Sequence, residues 1–301
     1  MHTRAILMTC VFGAALAASP AIAQAPDFSK AQIKATDLGH GITELEGVGG
    51  NMTVAVGTDG IILVDTEFAP LHDKIKAAIA AISPLPVKYV LNTHYHGDHT
   101  GGDEAFGKEG VTIVATANLA NRLANPPPGA NGQPGKPAPK AGMPTQTYTG
   151  QGTEVKIPGQ TAELVHLENA HTDGDTVVFF NAANVISTGD IVGNAAYPNI
   201  DVAVGGSIDG MIAGANFVIA HSDDETKIVP GHGTIMTKKD AIAYRTMLVT
   251  ARTRIAKAKA KGMTEQQVVD AHLLADLDKK WAVPGNALAA RFPNNVYRSI
   301  K

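Results

Sequence analysis

The stretch THYHGDHTGG, residues 93–102, decides how this chain is read. It sets His94, His96, Asp98 and His99 within six positions, directly after the apolar run VKYVL at 87–91. Side chains two apart on an extended backbone point the same way, so His94 and His96 can share one metal while Tyr95 points elsewhere. Gly97 lets the backbone turn tightly. Asp98 and His99 then open the next helix and can face a second metal. The H-x-H-x-D-H spacing at the end of a buried strand reads as a metal motif rather than a solvated loop.

The segments around this motif alternate between strand and helix signals. MTVAV (52–56) and GIILVDT (60–66) flank Gly57-Thr58-Asp59-Gly60, a hairpin signal. Leu71, Ile75, Ala78, Ile79 and Ile82 have helical spacing, and Ser83-Pro84 stops the run. VTIVAT (111–116) is another buried strand. Strand signals resume at TEVKI (153–157), AELVHL (162–167), DTVVFF (175–180) and NVISTGD (184–190); TKIVPGHG (226–233) supplies the last strand and its turn. Over 239–280 the pattern is helical. The alternation predicts α/β layering, with two sheets face to face and helices outside, as one domain over 24–301. Residues 125–147, NPPPGANGQPGKPAPKAGMPTQT, are too rich in Pro and Gly for regular structure and read as a tether or as a lid over the site.

Composition narrows the classes of function. The chain has 301 residues, 44% hydrophobic and 18% charged, with a mean hydropathy near zero. The formal charge of −3 and isoelectric point of about 6.4 offer no basic field for nucleic acid. TARTRIAKAKAKG (250–262) is locally basic and reads as a solvated helix face. Residues 1–23 read as a secretory signal peptide: Arg4, an apolar run from Ala5 to Ala18, then Ala21-Ile22-Ala23 before a mature start at Gln24. That run is too short to span a bilayer, and no later run is long and apolar enough, so a periplasmic or secreted protein without stable membrane insertion is expected. Cys10, the only cysteine, leaves with the signal. The mature chain then has neither a disulfide nor a thiolate ligand, and any metal site must use histidine and carboxylate, which favours zinc or another first-row divalent ion.

The chain resembles the metallo-β-lactamase-fold hydrolase superfamily, in the manner of an exported β-lactamase-like member, over roughly residues 40–237. His94-Tyr95-His96-Gly97-Asp98-His99 matches the signature, AHTDGDTVVFF carries His171 at the third histidine, and STGDIV carries Asp190 where many members have a bridging carboxylate. VPGHG carries His232 at the last histidine. The resemblance implies a four-layer αββα sandwich with a dinuclear metal site at one edge of the sheets. It implies His94, His96 and His171 on one metal, Asp98, His99 and His232 on the other, and Asp190 bridging. Five imidazoles and two carboxylates suit two zinc ions, with other first-row metals possible. The implied activity is zinc-dependent hydrolysis of a small-molecule substrate by a hydroxide held between the metals, with Asp98 orienting the nucleophile. A β-lactam-like cyclic amide or a lactone is the expected substrate. A thioester hydrolase of glyoxalase II type is the alternative, as is a metal-binding envelope accessory protein without efficient turnover. One departure bears on this choice: several metallo-β-lactamases carry cysteine where this chain has Asp190, and an aspartate there looks more like the thioesterases and lactonases.

Other residues take supporting readings. Asp65, ending GIILVDT, is expected to hold a ligand imidazole in its tautomer. Asp173 and Asp175 flank Gly174 as turn residues, and Thr172 and Thr188 make backbone hydrogen bonds. Asn194 and Tyr197 either line the pocket or brace it. His40, His72, His166, His221 and His272 stay outside the site, and Trp281 packs a helix.

Overall fold

A computed structural model describes residues 27–129 and 132–300; the signal segment, with Cys10 and Gln24, lies outside the described residues. The first sheet runs, in spatial order, β1 (Lys34–Gly39), β2 (Ile42–Glu46), β3 (Asn51–Val56), β4 (Ile61–Val64), β5 (Val87–Leu91), β6 (Thr112–Thr116) and β7 (Gln146–Tyr148). Its first three pairings are antiparallel and its last three parallel. The second sheet holds β8 (Gly152–Ile157), β9 (Gln160–His166), β10 (Thr176–Phe180), β11 (Val185–Ser187) and β12 (Lys227–Val229) in the order β12-β11-β10-β9-β8. The helices are α1 (His72–Ile82), α2 (Gly97–Thr100), α3 (Asp103–Lys108), α4 (Ala117–Ala124), α5 (Ile208–Ala220), α6 (Lys238–Ala260), α7 (Glu265–Asp270), α8 (Ala275–Trp281) and α9 (Leu288–Ser299).

Strand periodicity builds the layers. In β4, Ile62 and Val64 join the core between the sheets, while Ile61 and Leu63 pack outward against Leu71, Ile75 and Ile79 beside and along α1. In β10, Val178 and Phe180 face that same inner core, while Val177 and Phe179 face Ile208, Met211, Ala215 and Val218 of α5. β4 and β10 are therefore buried on both faces, which explains why β4 is apolar throughout and β10 is apolar after Thr176. The result is helix, sheet, sheet, helix.

Several elements depart from the sequence reading. β1 is an added edge strand; KATDLG buries only Leu38 among its six residues, so it carries no alternating signal. α5 contains Gly210 and Gly214, which propensity counts against a helix. Packing requires Gly210: a Cβ there would sit 1.8 Å from the Asn169 carbonyl oxygen. The 239–280 helical run is three helices, broken after Ala260 at Gly262 (φ 81°) and again before Ala275, and α9 follows although Pro293 lies inside it. Among its described residues, stretch 125–147 carries a single 3-10 turn at Lys140–Gly142 and the start of β7. It lies along α3 and α4, with the Ala138 amide donating to the Leu123 carbonyl. None of its described residues lines the cavity at the metal cluster.

Candidate metal centre

The ends of four strands deliver the seven side chains to one edge of the sandwich. β5 leads into His94 and His96, and α2 begins at once and carries Asp98 and His99. β9 leads into the turn bearing His171; β11 ends just before Asp190 and β12 just before His232. Two groups form, each with ligand atoms within 4.8 Å of one another: His94, His96, His171 and Asp190, and Asp98, His99 and His232. Asp190 sits between them. Its Oδ2 lies 3.5 Å from His171 Nε2 and 3.8 Å from His94 Nε2, while its Oδ1 lies 3.4 Å from both His99 Nε2 and His232 Nε2. Asp98 Oδ2 is 3.3 Å from His232 Nε2.

Outer partners fix which nitrogen each ring presents. His171 Nδ1 donates to the Asn199 carbonyl at 2.9 Å, leaving Nε2 free. His96 Nε2 donates to Asp201 Oδ2 at 3.0 Å, leaving Nδ1 2.9 Å from His171 Nε2. Asp65 behaves as the sequence suggests: its Oδ2 accepts from His99 Nδ1 at 2.8 Å and from the Thr93 hydroxyl at 2.7 Å, and its Oδ1 accepts from the Thr93 amide. Thr93 Oγ1 in turn lies 3.1 Å from His94 Nδ1, so one carboxylate orients two imidazoles. Asp65 holds a left-handed φ of 61°, a strained setting for a non-glycine residue that these bonds sustain.

Electrostatics divide the cluster. Burial, followed by neighbouring imidazoles, holds His94 well below its ordinary value, and burial brings His171 down to about 4. Both rings are neutral with lone pairs available. Asp190 lifts His232 to about 10 against the effect of burial. Burial also opposes protonation of His99, but Asp190 and Asp65 outweigh it and raise that ring. Burial works against ionised Asp98 and Asp190 as well, yet the facing histidines keep both below the usual carboxylate range.

Two buried atoms test the fit to a metal. His94 Nε2 and Asp190 Oδ1 are buried without any hydrogen-bond partner, and both point into the cluster. Buried polar atoms almost always find partners, so these two are explained by cations that they would ligate. The donor set is nitrogen and oxygen throughout, as divalent first-row ions prefer. Crowding here falls on Gly231 rather than Gly97. A Cβ on Gly231 would lie 2.1 Å from Asp190 Oδ1 and 3.0 Å from His99 Cε1, whereas Gly97 has open space and borders the cavity.

Most of the remaining candidates bond within the scaffold. Arg122 clamps the Asp173 carboxylate, and Asp175 accepts from the His171 and Thr172 amides and from the Thr172 hydroxyl. Thr188 bonds backbone carbonyls. Asn194 ties Thr234 through three hydrogen bonds, while Tyr197 lines the cavity and donates to Asp278. His40, His72, His166, His221 and His272 belong to neither group. In the basic helix, Arg252 pairs with Asp209 and Arg254 with Asp276. The sequence reading missed Asp201, whose Oδ2 also accepts from the Tyr95 hydroxyl at 2.6 Å.

Comparison with known proteins agrees with this geometry. Residues 45–232 match the family described as the metallo-beta-lactamase superfamily. The chain belongs to that superfamily. Among curated relatives, the α subunit of a 2,4-dinitroanisole O-demethylase from a Nocardioides species is 31% identical over 143 residues, covering 46% of this chain and 40% of its own length. A hydroxyacylglutathione hydrolase from a Polaromonas species is 27% identical over 172 residues, 55% of this chain and 56% of its own length. The chain thus matches about half the length of these relatives. The metallo-beta-lactamase from Pontibacter korlensis superposes with a TM-score of 0.59 at 20% identity, covering 72% of this chain and 99% of its own. The DIM-1 metallo-beta-lactamase gives 0.59 at 18%, covering 73% and 98%. These likenesses establish the fold.

Proposed function

We propose that the mature protein is an exported hydrolase that holds two zinc ions and cleaves a carbonyl bond in a cyclic amide or a lactone. The observation that carries the reading is Asp190, whose two oxygens face two separate histidine groups at 3.4–3.8 Å. His94 Nε2, His96 Nδ1 and His171 Nε2 would hold one ion, Asp98, His99 and His232 the other, with Asp190 shared. Ions bound there supply an acidified water and polarise the carbonyl.

The chain's own groups do the rest. Ionised Asp98 borders the cavity and accepts a hydrogen bond from the attacking water, which orients it. His96 is locked by Asp201 and His99 by Asp65, so neither ring rotates as charge develops. The cavity, about 680 Å³, has an apolar part formed by Phe68, Val192, Ala196, Pro198 and Leu288. The signal-like residues 1–23 support export.

A thioester substrate is the second reading. Asp190 in place of a cysteine, and the relative named as a hydroxyacylglutathione hydrolase, favour it. Metal analysis of purified protein, coupled to nitrocefin, lactone and thioester assays, tests both readings. Two equivalents of zinc and turnover of one class are expected. Bound metal with no turnover across the panel would instead support the accessory role.

A further inference from the structure

The family match ends at residue 232, yet part of the cavity wall comes from beyond it: Tyr244 on α6, Asn286 and Leu288 near the start of α9, and Arg291 on α9. Tyr244 is 1% exposed and meets Trp281 edge to face at 5.9 Å. Its hydroxyl is buried and has no hydrogen-bond partner. Three other buried or half-buried tyrosines are satisfied: Tyr95 by Asp201, Tyr197 by Asp278 and Tyr148 by Thr176. A buried hydroxyl with no partner destabilises the fold unless something arrives to pair with it. Burial, and then the negative field of Asp190, keep the phenol protonated, so it can donate.

We infer that the Tyr244 hydroxyl is a substrate-binding donor, contributed by the C-terminal helices, which selects ligands presenting an oxygen acceptor from an apolar body. The inference deepens the hydrolase reading and rests on it. Val192, Ala195, Ala196, Pro198 and Leu288 give the wall an apolar part that suits such a body, beside polar groups that include Asn286 and Arg291. A ligand without an acceptor leaves the donor unpaired, and sites built this way discriminate strongly.

The test uses benzylphosphonate, an apolar ring carrying an oxyanion. It is titrated calorimetrically into zinc-loaded protein and into zinc-loaded Y244F, with zinc content and Tm measured on both. The wild type binds, and Y244F binds about tenfold or more weakly, as loss of a hydrogen bond to a charged acceptor requires. Zinc content stays equal and Tm is not lowered, because the hydroxyl bonds nothing in the free protein. Affinities equal within about twofold, failure of the wild type to bind, or loss of zinc or Tm in Y244F each overturn the assignment. The turnover panel is read separately. No turnover with the binding difference intact sinks the hydrolase reading and leaves the role of Tyr244 standing.

Discussion

Replacing Asp201 gives the sharpest test of how the first three histidines are held. Its carboxylate accepts from His96 Nε2 at 3.0 Å and from the Tyr95 hydroxyl at 2.6 Å. The first bond places the ring proton on Nε2 and turns the Nδ1 lone pair toward His171 Nε2, 2.9 Å away. Its backbone amide separately donates to the His171 carbonyl, so a side-chain change spares that tie. Loss of such an outer partner weakens metal binding about 10- to 100-fold. At about 1.4 kcal/mol per decade this is roughly 1.4–2.8 kcal/mol. Asp201→Asn keeps an acceptor but loses the charge and belongs near tenfold; Asp201→Ala frees the ring and belongs near 100-fold. Tyr95→Phe leaves the carboxylate on His96 and should cost less than about threefold. Zinc affinity is read by competition with a chromophoric chelator, and nitrogen NMR of His96 reports which nitrogen changes on loading. Zinc affinity of Asp201→Ala within about twofold of wild type would refute the assigned tautomer.

Asp190→Ala removes the one group facing both histidine groups, so zinc content should fall and turnover should drop more than about 100-fold; full zinc occupancy by elemental analysis would count against bridging. Above about pH 6.5, where His94 and His171 are neutral in both states, metal-free protein should lose stability as pH rises. His232 sits at about 10 when folded against 6.5 unfolded, so its contribution is complete below pH 6.5 and gone above 10. Zinc-loaded protein should show the opposite slope on acidification, because protons displace the metal; thermal melts over pH 5–10 with the same slope in both forms would contradict this. Gly231→Ala places a methyl 2.1 Å from Asp190 Oδ1, so it should lower zinc affinity and destabilise the metal-free fold by about 1–3 kcal/mol, read by chelator competition and urea melts.

Local patterns were legible in the sequence and distant partners were not. His94, His96, Asp98 and His99 share one strand end, where a period of two and a following helix announce the arrangement. His171, Asp190 and His232 each follow a strand-like run, and the family resemblance joined them. Asp65 was readable from its place at the end of GIILVDT, though its left-handed backbone was not. Asp201 was invisible because its partner His96 lies 105 positions away, and nothing in PNIDVAVGG sets that aspartate apart from a turn residue. α5 and α9 escaped for a related reason. Gly210 and Pro293 oppose helix by propensity, and only the Asn169 backbone and the burial of Phe292 and Val296 override them. Tyr244 looked like one aromatic among alanines and lysines in α6, and only packing decides that it borders the cavity.

Charge balance ties these parts together. Asp98 and Asp190 lie among the imidazoles, with Asp65 behind His99 and Asp201 behind His96. Four carboxylates in so shielded a setting need about four positive charges, which two divalent ions supply. Protons on the imidazoles substitute in part, and they settle unevenly: His99 and His232 are raised, while His94 and His171 are lowered. His94 and His171 therefore offer free lone pairs at neutral pH, whereas His99 and His232 must release protons before they can ligate. Asp190 belongs to both, facing proton-free nitrogens through Oδ2 and proton-bearing nitrogens through Oδ1. His94, His96 and His171 would hold a cation in the first group, and Asp190, shared with it, would then hold those protons less firmly. The same carboxylate that would bridge two metals thus also couples the filling of one group to the readiness of the other.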